Sequence, residues 1–229
     1  MTEGTTERAR ASFLSPIFSD PQSGARRLTF AAGQTIHEPD APADSVYFIH
    51  QGQVRLYQHA GRGVARLCDV LGADEWFGVA ALARARTHGV RAMTVVPSVI
   101  SQVGVERLFD VLVSRPHALV ELTRHLAAKI QAARDDAAEL TFHDTNQRLV
   151  RALLRLSDSA ASTRRADGVV LNMTHRQLAQ AVGAARETIS LALTQLRHRN
   201  LVKTGRNQLI FDPEMLRRVE DNPLFERVA

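Results

Sequence analysis

Residues 173–200 read MTHRQLAQAVGAARETISLALTQLRHRN. Thr174 and Gln177 have the T-x-x-Q spacing of a capping box, which opens a helix by satisfying two backbone amides reciprocally. That helix runs through RQLAQAV and ends at Gly183. Two or three residues later a second helix begins. Its apolar residues Ile189, Leu193 and Leu196, with Ala192 between, keep the spacing of one buried stripe. Helix, short glycine-containing turn, helix is the helix-turn-helix pattern. NLVKT and QLIFD follow around the turn Gly205-Arg206-Asn207 and predict a small β-wing.

In this motif the second helix enters the major groove of DNA with its N-terminal residues on base edges. Arg186 can fork onto guanine O6 and N7, and Glu187 can accept from a cytosine amino group. Ser190, one turn on, can reach a base or a phosphate. Thr174, His175, Arg176, Thr188, Arg197, Lys203 and Arg206 are the candidate phosphate contacts. From Thr174 to Ile210 there are six Lys or Arg and one acid, Glu187. Such a basic patch on a helix-turn-helix is an electrostatic footprint for double-stranded DNA.

Upstream, no Gly or Pro occurs between Pro116 and Gly168, which favours helix. Leu119, Leu122, Leu126, Ile130, Ala133, Ala137 and Leu140 step by three and four, as in a coiled-coil seam. The stripe either joins two copies of the chain or packs on its own domain. His143-Asp144-Thr145-Asn146 is rich in cap residues and should end this helix. A second helix, QRLVRALLRLSD, precedes a polar loop from Ser157 to Asp167 and a short strand, Gly168 to Asn172. From about Arg27 to Gly104, Gly and Pro punctuate short apolar stretches, and Gln51-Gly52 breaks two of them like a hairpin turn. This predicts an antiparallel roll. The expected layout is an N-terminal arm over 1–25, a β-roll over 26–115, a dimerisation helix over 116–143 and a winged helix-turn-helix over 144–229.

The whole chain sets limits. Its 229 residues are 45% hydrophobic, enough for a sizeable core without staples. No apolar run approaches the roughly 18 residues needed to span a bilayer, and MTEGTTERARASF lacks a signal-peptide core. A cytoplasmic protein with no membrane partner is expected. The single cysteine, Cys68, excludes an intrachain disulfide and a four-cysteine zinc site. In ARLCDVL it reads as plain core. The nine histidines show no H-x₃-H spacing, and His50, His59 and His88 read as turn or surface residues. No nucleophile elbow, P-loop or paired-carboxylate motif occurs, so no catalytic residues and no metal are expected. The net charge of +5 favours an anionic partner.

Together these motifs resemble the cyclic-AMP receptor / fumarate-nitrate regulator (Crp/Fnr) family of bacterial transcription factors. The resemblance rests on MTHRQLAQAVG, RETISLALTQL and the wing. It also rests on F-x-x-G-x-x-I (Phe30, Gly33, Ile36), DSVYFIxxGxVRLY (Asp44 to Tyr57) and WFG (Trp76 to Gly78). It implies an α+β fold: a cyclic-nucleotide-binding-type, cupin-like β-roll, a long dimerisation helix and a winged helix-turn-helix. It further implies a homodimeric activator on an inverted repeat, with RNA polymerase as partner. The chain departs from the family at Ala185, where Ser or Thr is common, and at Leu191, where many members carry a base-reading Arg.

The family's nucleotide cassette aligns Gly78, Leu82, Arg86 and Thr87, but its ribose-binding Glu is Val79 here, and Ala133 and Arg134 replace the pair that meets adenine. These losses argue against cyclic AMP. Phe77-Gly78-Val79 also resembles the nitrogen-control branch, whose members sense 2-oxoglutarate. Arg86, Arg91, Lys129 and Arg134 could supply charge-assisted bonds to such an anion. The alternative is a vestigial pocket and a regulator without effector. A ligand-binding cupin-like enzyme is the rival from another class; it lacks the histidine cluster such enzymes use and leaves the basic C-terminal third unexplained.

Overall fold

The computed structural model describes residues 14–20, 23–60, 64–142 and 144–220. In chain order the elements are α1 (Ser15–Ser19), β1 (Arg26–Phe30), β2 (Thr35–His37), β3 (Ser45–Gln51), β4 (Val54–Ala60), β5 (Val64–Leu71), β6 (Trp76–Phe77), α2 (Val79–Leu82), β7 (Arg91–Thr94), β8 (Ser98–Gly104) and α3 (Val105–Val113). Then come α4 (Pro116–Phe142), α5 (Thr145–Ser157), β9 (Ser162–Arg165), β10 (Gly168–Leu171), α6 (His175–Val182), α7 (Arg186–His198), β11 (Val202–Gly205), β12 (Gln208–Phe211) and α8 (Pro213–Glu220). Contacts divide the chain into residues 1–133 and 134–229, the division falling within α4.

The first unit is a roll of two antiparallel four-stranded sheets, ordered β1-β8-β3-β6 and β2-β7-β4-β5. β3 is buried on both faces. Tyr47 and Ile49 point between the sheets, where they join Val54, Leu71, Phe77, Ala92 and Ile100. Val46 and Phe48 point the other way, into a second core with Trp76, Val103, Leu108 and Leu112. A strand covered by a sheet on one side and helices on the other reads as a continuous apolar run, which is why VYFI does not alternate.

Several expectations need correction. Gln51-Gly52 is no hairpin, because β3 and β4 lie in different sheets. The backbone crosses there at a left-handed Gly52 (φ 107°), where a Cβ would sit 2.1 Å from Ser98 Oγ. The expected arm of 1–25 is ordered core from Leu14: Leu14, Ile17 and Phe18 are buried and join Phe48 and Trp76. Residues 1–13 lie outside the described residues. Cys68 is exposed. The β4–β5 register pairs Leu56 with Asp69 and Tyr57 with Leu67, so Cys68 is the unpaired residue of a bulge. His88 is buried, not a surface residue, while His50 lies half-buried in β3, its Nε2 2.7 Å from Ser101 Oγ.

α4 divides the expected seam. Leu122 is buried and Leu126 packs against the roll's own core. Leu119 (43%) and Ile130 (56%) are exposed, as are Ala133 and Ala137. The side chain of Leu140 and the expected break residue His143 lie outside the described residues. Leu122 and Leu126 thus satisfy their own domain, leaving Leu119 and Ile130 without cover in the single chain.

In the second unit, Asp144 caps α5 through a full capping box with Gln147. The expected polar loop of 157–167 contains strand β9, which pairs with β10. The wing strands β11 and β12 therefore extend a four-stranded sheet, β11-β12-β10-β9. α8 has no counterpart in the sequence-based expectations, although Pro213 stands at its first position and Asp212 accepts the Glu214 amide, both ordinary helix-start signals.

His37 stacks on His88 with ring centroids 3.7 Å apart, beside Tyr47 and Phe77. Neither ring nitrogen of His37 reaches a hydrogen-bond partner at normal geometry. Burial, and then the neighbouring His88, lower its pKa to about 4, the backbone of Glu38 and Val90 offsetting this only in part. Burial lowers His88 as well. The unfolded chain therefore takes up protons that the folded roll refuses. The roll should keep full stability above about pH 6.5 and lose on the order of 2–3 kcal/mol as pH falls towards 4. Trp76, the only tryptophan, is buried in this unit and reports on it alone. Urea midpoints followed by its fluorescence at pH 7 and pH 4.5 should show the drop, and a smaller one in His37→Phe.

Candidate nucleic-acid interface

Helix α6 is closed at both ends. Thr174 Oγ1 accepts the Gln177 amide (3.2 Å), and Gln177 Oε1 accepts the Thr174 amide (2.9 Å). At the far end Gly183 adopts the left-handed conformation (φ 72°, ψ 43°), and its amide donates to Ala179 O at 2.9 Å. A residue with a Cβ would be strained there, so glycine fixes the turn into α7.

Ile189, Ala192, Leu193 and Leu196 of α7 are buried. This fixes the rotation of the helix and turns Arg186, Glu187, Thr188, Leu191 and Thr194 to solvent. Arg186 and Glu187 occupy the first turn, as the sequence requires for base reading. Ser190 is already engaged. Its hydroxyl donates to Arg186 O (2.9 Å) and lies 3.0 Å from His175 Nδ1. A hydroxyl has one hydrogen, so with that proton on Arg186 O the imidazole Nδ1–H is the donor. Ser190 and His175 thus brace α7 against the start of α6.

Arg176, Arg197, Lys203 and Arg206 are exposed and Thr174 is half-buried. In the wing, Lys203 lies opposite Ile210 and Gly205 opposite Gln208. The two-residue loop Arg206-Asn207 places Asn207 at φ 59°, a conformation Asn tolerates better than most residues. At Leu191 the sequence departs from the family pattern, and no role follows from the resemblance. Leu191 is 68% exposed and lies opposite the buried stripe.

The candidate effector residues are less convergent. Gly78 is left-handed (φ 99°) and packs on Ser45, and a Cβ would lie 2.7 Å from Ser45 O. Leu82 packs into the helix-covered core. Val79 (44%), Arg86, Thr87 and Arg134 are exposed. Arg91 Nε donates to Glu38 (2.7 Å), and Lys129 Nζ lies 3.5 Å from Asp69. Two of the four cations are thus already matched by carboxylates. Among the described residues, no group of three or more His, Cys, Asp or Glu could hold a metal, and no helix is long and apolar enough to cross a membrane.

A capped helix, a glycine turn, a second helix with polar first turn outward and a basic hairpin define a winged helix-turn-helix. Residues 147–219 match the Crp-like helix-turn-helix domain, and residues 27–115 the cyclic nucleotide-binding domain. The CRP-like cAMP-activated global transcriptional regulator of Mycobacterium tuberculosis is 30% identical over 198 residues, covering 83% of this chain and 86% of that one. The cAMP-activated global transcriptional regulator of Haemophilus influenzae is 24% identical, covering 76% and 78%. Among solved structures, the c-di-GMP responsive global regulator CLP of Xanthomonas campestris superposes with a TM-score of 0.76 at 20% identity, over 88% of this chain and 99% of that chain. A CRP/FNR-family regulator from Thermus thermophilus gives 0.71 at 24% identity, over 86% and 99%. The chain belongs to the Crp/Fnr family of transcription regulators, a family of DNA-binding proteins rather than enzymes.

Unlike α6, α7 begins at Ala185, whose backbone is extended (φ −69°, ψ 148°) and whose side chain caps nothing. Ser tolerates that conformation and would accept a first-turn amide. Ala185→Ser should therefore stabilise the second unit by about 1 kcal/mol. Thermal unfolding followed by circular dichroism checks this through a raised midpoint.

Proposed function

We propose that this protein is a homodimeric transcription activator that reads an inverted repeat and binds it without cyclic AMP. One observation carries the reading: α7 buries one face in its own domain while holding Arg186 and Glu187 outward, and the wing of the same domain exposes the cations Lys203 and Arg206. Base contacts by the first two residues specify, and phosphate contacts by the wing hold. The twofold mate supplies the second half-site, and the exposed Leu119 and Ile130 of α4 are the surface that would seat it. RNA polymerase is the partner that activation requires, and the cytoplasm is where it is met. The apolar Val79 in place of a ribose-binding carboxylate, and the matched pairs at Arg91 and Lys129, support independence from cyclic AMP.

Gel-shift titrations on a selected site should show that Arg186→Ala costs about 1–3 kcal/mol and relaxes preference at one base pair per half-site. Lys203→Ala and Arg206→Ala should weaken all sequences alike and flatten the salt slope by up to about one unit each. Adding cyclic AMP should leave wild-type binding unchanged. Equal loss on every sequence in Arg186→Ala would reduce that residue to a phosphate contact.

Ile130 is exposed in the single chain, so Ile130→Arg should leave the fold intact while placing a charge in the seam. Sedimentation should then report monomer. A dimer that persists in both this variant and Leu119→Arg would remove α4 from the interface.

A further inference from the structure

Leu191 is the one large, exposed hydrophobic residue on α7 among the described residues. The domain does not need it: the stripe Ile189, Ala192, Leu193 and Leu196 already seals the inner face, with exposures of 0, 4, 1 and 3%. At about 3.6 residues per turn, Glu187, Leu191, Thr194 and His198 form one row opposite that stripe. All four are exposed. Leu191 therefore sits in the middle of the outward row, one turn beyond Glu187. If the helix lies in the major groove with Glu187 on a base edge, Leu191 faces base edges too, roughly 6 Å further along the axis.

The major-groove edges offer an uncharged aliphatic side chain one good partner, the thymine 5-methyl group. Backbone phosphates and amino, carbonyl and ring-nitrogen groups would instead leave leucine wet or be desolvated without a hydrogen bond. Glu187, next to it on the row, repels phosphate and keeps the pair directed at bases. We propose that Leu191 reads a thymine in each half-site by packing its methyl groups against the thymine methyl. This rests on the placement of α7 in the major groove proposed above, and makes Leu191 a specificity residue that works by shape and desolvation.

The full chain is first used to select bound sequences from random DNA. Each thymine of the selected site is then replaced in turn by deoxyuridine, which removes the methyl and keeps every hydrogen-bonding group. Wild type should lose about four-fold in affinity at one thymine per half-site, the effect of burying one methyl. Leu191→Ala should bind the thymine site several-fold more weakly and be indifferent to deoxyuridine at that position, with its salt slope and non-specific binding unchanged. Restoring the methyl on cytosine, as 5-methylcytosine at the same place, should recover part of wild-type binding over unmodified cytosine. Specific binding that ignores deoxyuridine at every position, or a Leu191→Ala variant as methyl-sensitive as wild type, would overturn the Leu191 assignment alone. Failure to select any sequence would overturn the groove placement itself, and the assignment with it.

Discussion

Burial of Ile189, Ala192, Leu193 and Leu196 sets the rotation of α7 about its own axis, and with it which side chains the helix offers to solvent. A helix has little intrinsic preference for which face it shows. The preference comes from the apolar area removed from water, about 25 cal/mol per Å². Four buried side chains outweigh any single outward contact. The direction of Arg186 and Glu187 is thus set by residues buried inside the domain. The same constraint explains why Ser190, at the edge of the stripe, is drawn into a bond with His175 while Leu191, one residue on, is left in water.

The roll solves a different problem. Its third strand is apolar on both faces, so it needs a sheet on one side and helices on the other. Leu14, Ile17 and Phe18 from before the first strand, and Leu122 and Leu126 from the long helix, help complete the second cover. Part of what reads as a dimer seam is therefore spent inside the single chain. Among the described residues, the exposed remainder is Leu119, Ile130, Ala133 and Ala137. The cations that look convergent in the sequence meet a similar fate, since Glu38 and Asp69 reach Arg91 and Lys129 first.

The reading head was legible because its signals are local. The Thr174–Gln177 box, Gly183 and the Gly205–Asn207 turn each act within a few residues, and each appears where the spacing put it. What was not legible depends on distant partners. Strand β9 is polar and exposed, and only its ladder to β10 makes it a strand. Gln51-Gly52 has turn chemistry, but whether a turn returns to its own sheet or crosses to another depends on the distant strands that β3 and β4 pair with, β8 and β6 for one and β7 and β5 for the other. Cys68 lies in an apolar run, yet one bulge residue reverses its face. His88 is polar by type and buried by its stack on His37.

The two helices of the reading head hold themselves in place differently. The first is sealed at its start by a reciprocal box and at its end by a left-handed glycine. The second starts on an alanine that offers its amides nothing. Its order is borrowed from the neighbours it packs on, and local stability in proteins follows such borrowing. Loosening at Leu178 or Val182, both buried in the first helix, would thus loosen the placement of Arg186 and Glu187 while the domain is still folded. The orientation of the second helix is the first property this architecture would lose, and the fold itself a later one.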